Sequence, residues 1–492
     1  MDAINKDKKI FTVRITDMTS DGAGIGRIDI GRIDTEKMNN LAVFTDGALP
    51  GDLCEIKIIK NKNYAYGELI KIIEPSPDRV KPVCRVSGKC GGCALQSLSY
   101  EAQLRLKRKI TVDCLERIGG IKNARVCRTI GMGTEMGTET PYNYRNKAQF
   151  PVKKNKRNPD KIDIGFYSRR THDVININDC VISHKTGAQV IQVFRDYFER
   201  NKSGDIVYDE LTHTGIIRHI FIRAGFATGE VMVCIAANLP ASLISSASPE
   251  PANSANPGKD LPDCARLIGG LKKIKGVTGV VLNINSERTN VILGRVNKVL
   301  YGRDYIFDYI MGKKFKISVS SFYQVNPVQT EKLYGKALEF AQVHKDYVCI
   351  DAYCGIGTIA LIFAPFIKKI YGVETAGQAV ADARENAALN NIANAEFIEG
   401  KAETVVAELV SRENVDLIIA DPPRKGCDIK LIDAIISARI KRIVYISCNP
   451  ATLARDIKIL TEGGYKLAAV QPVDCFPHTM HVECVAGLYL QD

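Results

Sequence analysis

The sequence has no run of apolar residues long enough for a membrane helix, which needs roughly 18 in succession. Its charged start, MDAINKDKKIFTVRI, has no apolar core of the kind found in secretory signals. Without such a signal, the 15 cysteines of the chain do not indicate a disulfide framework. We therefore expect a cytoplasmic protein with no membrane partner, most of whose cysteines pack as small hydrophobic side chains.

At 492 residues the chain is too long for one ordinary core, since domains average about 150 residues. Short strands with glycine turns predict a small, TRAM/OB-like β-barrel that ends at Glu74-Pro75-Ser76-Pro77. From about residue 313, strands alternate with helices, which is typical of a doubly wound, Rossmann-like α/β sheet. We predict three domains: the barrel over 1–74, a central α+β domain over 75–312 and the α/β domain over 313–492.

Within the predicted central domain, apolar spacing indicates a helix over Ser99–Ile118. The tract GMGTEMGTET should form a loop, and the Ser/Pro-rich stretch Ser245–Asp263 resembles a flexible insertion. The formal net charge of +12 is partly concentrated between Asn143 and Arg170, where nine Lys or Arg residues are interleaved with four aromatic residues. Cations and rings together are typical of a surface for single-stranded nucleic acid, although a solvated basic loop explains the pattern equally well.

A cofactor site is indicated where a buried strand ends at Asp351 and opens into Tyr353-Cys354-Gly355-Ile356-Gly357. Glu374 ends the next strand, where a carboxylate can accept both hydroxyls of a ribose. The complete GxGxxG fingerprint of dinucleotide-binding proteins is absent, because Thr358, Ile359 and Ala360 follow Gly357. This favours S-adenosylmethionine over NAD.

The turn Asp421-Pro422-Pro423-Arg424 follows another buried strand, and its prolines hold Asp421 at the edge of the sheet. There Asp421 can face a cofactor or a base, or the turn can simply end the strand. Amino-group methyltransferases carry variants of the same turn, so it does not by itself identify the methyl acceptor.

Cys448 follows a further strand of this sheet, in Ser447-Cys448-Asn449-Pro450. A cysteine at this position suits one methyl acceptor in particular, C5 of uracil. This carbon accepts a methyl group only after a thiolate has added to C6 of the same ring, and a general base must then remove the C5 proton. The helix that starts near Pro450 would lower the pKa of the thiol, although a buried structural cysteine is the ordinary alternative. For the base we favour Glu483, with His481 on the same face of the chain as its competitor.

A second group of cysteines, Cys84-x5-Cys90-x2-Cys93, has the glycines needed to fold around a metal centre. Cys180 could supply the fourth ligand. Zinc sites usually combine two close pairs, so this arrangement suits an iron–sulfur cluster better, with zinc and ordinary cysteines as alternatives.

Nearly the whole chain resembles the RNA uracil-5-methyltransferases, through its N-terminal barrel and the motifs Gln324-Val325-Asn326, DAYCGIGT, GVE, DPPRKG, SCNPATLARD and HVE. The resemblance implies that Gln324, Tyr353, Glu374 and Asp421 contact S-adenosylmethionine. It also implies that Cys448 is the nucleophile and Glu483 the base. The barrel would be a TRAM domain, and the ribosomal RNA branch of the family carries a 4Fe–4S cluster, here on Cys84, Cys90, Cys93 and Cys180. Some members of the family have Asn at the position of Thr358. We therefore do not assign Thr358 a contact with S-adenosylmethionine.

By this resemblance we expect a monomer that methylates uridine C5 in 23S ribosomal RNA, with RNA and not DNA as its partner. The same reaction on a transfer RNA is the nearest alternative. A non-catalytic RNA-binding or folding factor is another, but such a protein would not need to retain Cys448 and Glu483. Methylation of an amino group is a third alternative, but that reaction needs no cysteine nucleophile.

Overall fold

The structure is a computed structural model that describes residues 10–28, 40–61, 64–133, 140–201, 206–240 and 261–491. Most of the flexible insertion expected over Ser245–Asp263, and most of the GMGTEMGTET loop, lie outside these residues. None of the helices described is long and apolar enough to cross a membrane. Contacts divide the chain into a small unit, Met1–Leu106 with Phe476–Met480, and a large unit, Lys107–Cys475 with His481–Asp492.

The N-terminal strands close into a barrel, which confirms the predicted fold of this region. Their spatial order is β1-β2-β3-β5-β4. Alternate residues face the interior, and Val13, Val43 and Ile56 there are completely or almost completely buried. Gly26 is required for closure, because a Cβ at this position would lie 2.3 Å from Val13 Cγ1. The strands are β1 (Ile10–Met18), β2 (Gly24–Ile28), β3 (Leu41–Thr45), β4 (Leu53–Asn61) and β5 (Ala65–Glu74).

The helix predicted over Ser99–Ile118 is observed as α1 (Tyr100–Arg117). A seven-stranded sheet, the central sheet, follows in the order β12-β11-β10-β9-β6-β7-β8, and helices α2 and α3 contact each other. Only β10 and β11 are paired in parallel. The elements are β6 (Lys147–Lys154), β7 (Ile162–Tyr167), β8 (Val174–Asn176), α2 (Thr186–Arg200), β9 (Ile217–Ala224), β10 (Val231–Ala237), α3 (Cys264–Lys272), β11 (Val277–Ile284) and β12 (Val296–Gly302).

A hairpin and a helix connect the central sheet to the C-terminal part of the chain. The hairpin consists of β13 (Tyr305–Ile310) and β14 (Lys313–Ser318). Helix α4 (Pro327–Ala341) begins after Asn326, whose side chain caps it by accepting a hydrogen bond from Gln329 N. The loop between β14 and α4 therefore leads directly into the Gln324-Val325-Asn326 motif.

The C-terminal sheet has the order β17-β16-β15-β18-β19-β21-β20, in which β21 is antiparallel to both neighbours. Strand β18 is buried along its whole length, as expected when helices cover both faces. The doubly wound α/β fold predicted from the sequence is confirmed. Its elements are β15 (Val348–Asp351), α5 (Thr358–Phe363), a 3-10 helix (Ala364–Phe366), β16 (Lys369–Glu374), α6 (Gly377–Leu389), β17 (Ala395–Glu399), α7 (Ala402–Arg412), β18 (Leu417–Ala420), α8 (Ile429–Ser437), β19 (Arg442–Ser447), α9 (Pro450–Glu462), β20 (Tyr465–Val473) and β21 (Glu483–Leu490).

The strands of the barrel lie within 10–74, those of the central sheet within 147–302 and those of the C-terminal sheet within 348–490. Three sheets therefore follow one another along the chain, and the division into three domains, with boundaries after residues 74 and 312, remains a prediction.

Candidate active site

Chemically active side chains meet at one edge of the C-terminal sheet. Asp351 and Glu374 end β15 and β16, while Asp421 and Cys448 directly follow β18 and β19. Strand β21 runs in the opposite direction, so its first residue, Glu483, lies at the same edge. Strands β15 and β18 are neighbours although β16 and β17 lie between them in sequence, and such a switch point is where ligands bind in α/β sheets.

Cys448 and Glu483 are brought together by the pairing of β19 with β21. Ser447 pairs with Cys484, so the next residues outward along the two strands are Cys448 and Glu483. Cys448 is half-buried, whereas Glu483 is only 3% exposed. The structure thus places the predicted nucleophile beside the predicted base.

The environment of Cys448 differs from the expectation in one respect. Helix α9 does begin at Pro450, with the Asn449 side chain capping it. However, burial raises the pKa of the Cys448 thiol, and the nearby carboxylates of Glu483 and Asp421 raise it further, while the Arg424 guanidinium and a backbone hydrogen bond act in the opposite direction. The direction is therefore upward, opposite to that expected from the helix N-terminus alone.

Buried carboxyl groups are concentrated at this edge. Burial, followed by the charge of Asp421, raises the pKa of Glu483 to about 8. Burial likewise raises the pKa of Asp421 to about 7, and burial together with Asp421 raises that of Asp351 to about 7. Carboxyl groups that are buried close together favour the protonated form, and a cation bound beside them favours the ionised form.

The turn after β18 is fastened to helix α9. Asn449 Nδ2 donates to the carbonyl oxygen of Arg424 at 3.1 Å, and Arg455 Nη2 donates to that of Lys425 at 3.0 Å. Gly426 has a φ of 82°, and a Cβ there would lie 2.5 Å from Arg455. The turn that carries Asp421 and the turn that carries Cys448 are consequently held as one assembly.

His481, the competing base, lies just before β21. Its Nε2 is 3.5 Å from Arg424 Nη2. Partial burial, followed by the positive charges of Arg424, Lys107 and Arg145, lowers the pKa of His481, so the imidazole is neutral near pH 7. Glu483, and not His481, is the group whose charge acts on Cys448.

The glycine turn after β15 has the geometry of a ligand-binding loop. Gly355 and Gly357 have φ angles of 54° and 82°, which glycine adopts without strain. Glu374 Oε2 accepts a hydrogen bond from Gly355 N at 3.2 Å, and its Oε1 accepts one from Ala376 N at 2.9 Å. These bonds hold the Glu374 carboxylate at the end of β16.

Gln324 and Tyr353 reach the same region by different routes. Gln324 is 8% exposed, and its side chain is hydrogen-bonded to Tyr334, a residue that lies close to Asp421 and Asp351. The Tyr353 hydroxyl donates to Cys427 and accepts a hydrogen bond from the backbone of Asp428. Tyr353 therefore braces the chain that follows the Asp421 turn.

Asp351 is a candidate residue that our sequence reasoning did not assign to the site. It is completely buried, and its Oδ2 accepts a hydrogen bond from Ala360 N at 3.1 Å. Its Oδ1 has no hydrogen-bond partner within the described chain, which leaves a buried carboxylate oxygen unsatisfied. Its position at the end of β15 was visible in the sequence, but its unsatisfied oxygen was not.

The cysteines proposed to hold a cluster receive no support from the geometry. Cys84, Cys90, Cys93 and Cys180 are all half-buried, and Cys90 Sγ accepts a hydrogen bond from Gly92 N at 3.4 Å. In the part of the chain that is described, no three Cys, His, Asp or Glu residues are placed to hold a metal ion.

The basic block between Asn143 and Arg170 is less open than its sequence suggested. Lys153 pairs with Glu210 at 2.8 Å, and Lys156 pairs with Asp173. Tyr144 is 1% exposed and Phe150 is completely buried, so these two rings belong to the core. They cannot serve as the stacking surface that the interleaved pattern indicated.

A doubly wound sheet with a glycine turn, a ribose-type carboxylate and a cysteine at its carboxyl edge defines an S-adenosylmethionine-dependent methyltransferase fold. The solved structure of a Pyrococcus abyssi tRNA (uracil-54, C5)-methyltransferase in complex with S-adenosyl-L-homocysteine is similar, with a TM-score of 0.72 and 25% identity over 97% of this chain and 100% of that one.

Comparison with known sequences identifies the family. The tRNA (Uracil-5-)-methyltransferase family matches residues 282–492, and the TRAM domain matches residues 7–70. A protein of Clostridium tetani described as an uncharacterized RNA methyltransferase is 42% identical, covering 98% of this chain and 96% of its own. One from Halalkalibacterium halodurans with the same description is 43% identical, covering 99% and 98%. The chain belongs to the S-adenosylmethionine-dependent RNA uracil-5-methyltransferases, with an N-terminal TRAM domain.

Proposed function

We propose that this methyltransferase modifies C5 of a uridine in 23S ribosomal RNA through a covalent bond between Cys448 and C6 of the base. The observation that carries the proposal is the pairing of β19 with β21, which sets Cys448 beside the buried carboxyl group of Glu483. Nucleophile and base are the two groups that the reaction requires.

In the first step, the Cys448 thiol loses its proton to solvent, the thiolate Sγ forms a bond to C6, and the electron pair of the C5=C6 double bond moves towards C5 and the C4 carbonyl, which makes C5 nucleophilic. S-adenosylmethionine, when bound, supplies the methyl group on a positively charged sulfonium. Once C5 is methylated, Glu483 removes the C5 proton, the electrons of the C–H bond restore the double bond, and the bond between Sγ and C6 breaks. Each group returns to its starting state when Glu483 releases its proton.

The charges at the site suit this sequence. Cys448 and Glu483 both have raised pKa values, and Arg424 is the cation that favours their ionised forms. A further positive charge bound at this edge would lower both pKa values, because it stabilises a thiolate and a carboxylate. Cys448 and Glu483 therefore ionise most readily when the site is filled.

For the cofactor we propose contacts from Gln324, Tyr353, Glu374 and Asp421. Glu374 is already oriented by two backbone N–H groups at the position expected for a ribose carboxylate. Asp421 is half-buried and burial raises its pKa, so a cation bound beside it would stabilise its ionised form. Gln324 and Tyr353 are included among these contacts because of the resemblance to the family. Their hydrogen bonds to Tyr334 and Cys427 would fix the positions of their side chains.

The choice of ribosomal over transfer RNA rests on the additional barrel and on the cysteine pattern. The similar Pyrococcus abyssi enzyme is described as acting on a transfer RNA uracil, so transfer RNA is the alternative. Incubation with labelled cofactor and unmodified 23S or transfer RNA, followed by mapping of 5-methyluridine, separates them. Label in 23S RNA alone supports the proposal, and label in transfer RNA alone overturns the choice of substrate.

A 4Fe–4S cluster on Cys84, Cys90, Cys93 and Cys180 is a separate proposal. It rests on the spacing of these residues and on the resemblance to the ribosomal branch, and no step of methyl transfer passes through it. Anaerobic purification followed by iron and sulfide analysis tests it. About four iron atoms per chain support the cluster, whereas a colourless, iron-free and active protein would contradict it.

A cytoplasmic location and a monomeric state are likewise proposed.

A further inference from the structure

Three cations of the central sheet have no part in the proposed methyl transfer. Lys147 is the first residue of β6, and Arg223 on β9 is paired directly opposite it. Arg145 lies two residues before Lys147, in an isolated bridge with Ser183. Residues paired directly across two strands lie on the same face, so Lys147 and Arg223 share one face of the sheet. Arg145 is close enough for its charge to act on Lys147.

Arg223 is a buried cation with unsatisfied donors. It is 2% exposed, and its Nη2 donates to the carbonyl oxygens of Ser321 at 2.7 Å and Val319 at 3.3 Å. Its Nε and Nη1 have no hydrogen-bond partner among the described residues. Burial lowers the pKa of Arg223 to about 10, and no carboxylate of the described chain acts against this effect. A buried guanidinium in this condition lacks a counter-ion.

Lys147 adds a second positive charge beside Arg223 and is less deeply buried. Its side chain is half-buried, whereas that of Arg223 is 2% exposed. Burial, followed by the charges of Arg223 and Arg145, lowers the pKa of Lys147 to about 8. An anion bound here would relieve the repulsion among the three cations and restore the charged form of Lys147.

This group of cations borders the active site. Asn146, between Arg145 and Lys147, donates from its backbone N to Val325 O at 2.9 Å and from Nδ2 to Gln324 O at 2.8 Å. The beginning of β6 is thereby fixed to the loop that carries the proposed cofactor residue Gln324. The charge of Arg145 also acts on His481, which lies beside Arg424.

We propose that Arg145 and Lys147 bind a phosphate of the RNA backbone close to the target uridine, with Arg223 beneath them adding positive potential. The proposal rests on RNA being the substrate, as in the proposed function, and names the backbone contact that positions it. Phosphate is the anion that RNA presents at every nucleotide, and a contact to it fixes the strand without reading the base.

The test measures binding of a single-stranded oligouridylate of about 12 nucleotides, a length that one nucleic-acid-binding fold can cover, over a range of salt concentrations. Lys147→Gln removes one charge from the site. Lys154→Gln is the matched control, because it removes the same charge from an exposed residue at the other end of β6. We expect Lys147→Gln to weaken binding about tenfold and to reduce the slope of log affinity against log salt by about 0.7, as for one lost phosphate contact.

Lys147→Arg, which keeps the charge, should retain the affinity of the unaltered protein. If Lys147→Gln does not fold, Arg145→Gln provides the same comparison. Equal affinities and equal salt slopes for the site variant and for Lys154→Gln would overturn the proposal. Because binding needs no turnover, a chain that binds RNA through Lys147 yet methylates no uridine would refute the proposed function and leave this contact standing.

Discussion

Asn449 donates a hydrogen bond from Nδ2 to the carbonyl oxygen of Arg424 at 3.1 Å, while its Oδ1 accepts one from Ala451 N at 3.1 Å. The first bond joins the turn that carries Cys448 to the turn that carries Asp421. The second caps helix α9. One side chain thus combines a role in site geometry with a role in stability, and substitution can separate the two.

Asn449→Asp should keep the cap and lose the donor to Arg424. We expect little change in the free energy of unfolding and a fall in kcat, because Cys448 and Asp421 are no longer held together. Asn449→Ala should lose both bonds and cost about 1 kcal/mol of stability as well. Chemical denaturation and single-turnover methylation measure the two effects. Equal kcat values for the Asp variant and the unaltered protein would contradict the assigned role.

The pH dependence of methyl transfer follows from the raised pKa of Glu483, about 8, and from that of Cys448, which is also raised. Both groups must be ionised to act, so kcat/KM should rise as pH increases through about 8 and should continue to rise towards pH 9.5, because the pKa of the Cys448 thiol is raised above 9.0. Single-turnover kcat/KM measured between pH 6 and 9.5 provides the check. A rate that is flat over this range would show that neither group titrates as proposed.

Stability should change with pH in the opposite direction. The pKa of Glu483 is raised from 4.5 in the unfolded chain to about 8 in the folded one, so the folded state binds the extra proton. Its contribution is fully present below pH 4.5 and is lost as pH rises through about 8. Glu483→Gln, which cannot ionise, should therefore be more stable than the unaltered protein at pH 8.5, by about 1–3 kcal/mol.

The comparison that tests this linkage is the same pair of proteins at pH 5.5, where the advantage of the variant should be much smaller. Urea denaturation at both pH values measures it. An advantage that is independent of pH would mean that the substitution acts through packing and not through the proton.

Lys107 and Asp474 form an ion pair in which both side chains are completely buried. Removal of one partner leaves a buried charge, so Lys107→Met should destabilise the protein by about 3–5 kcal/mol. The double variant Lys107→Met with Asp474→Leu removes both charges and should cost less than Lys107→Met alone. Denaturation of the single and double variants tests this, and additive losses would contradict the coupling.

Much of the fold followed from patterns within short segments. The apolar strands that end at Asp351, Glu374, Ala420 and Ser447 alternate with helices, and a parallel sheet brings their carboxyl ends together. Cys448 and Asp421 could therefore be proposed for one site from the sequence alone. Glu483 could be placed there once its strand was assigned to the end of the chain.

Other features depend on contacts between distant parts of the chain. The upward shift in the pKa of Cys448 comes from burial and from two carboxylates, which no local pattern around Pro450 reveals. Lys107 and Asp474 lie far apart in sequence, so their pairing could not be predicted from spacing. Phe150 lies in a basic segment, yet it is buried in the core where β6 pairs with β9, and Tyr144, just before β6, is buried as well.

The central claim, a covalent bond between Cys448 and uridine C6 that Glu483 helps to resolve, is tested most directly by trapping. Glu483→Gln is incubated with the unmodified RNA and S-adenosylmethionine, and the products are separated under denaturing conditions and analysed by mass. We predict a methylated RNA–protein adduct at Cys448, absent when Cys448→Ala is combined with Glu483→Gln, and no methyl transfer by Cys448→Ala alone. Methylation of RNA by the Cys448→Ala protein would contradict the mechanism.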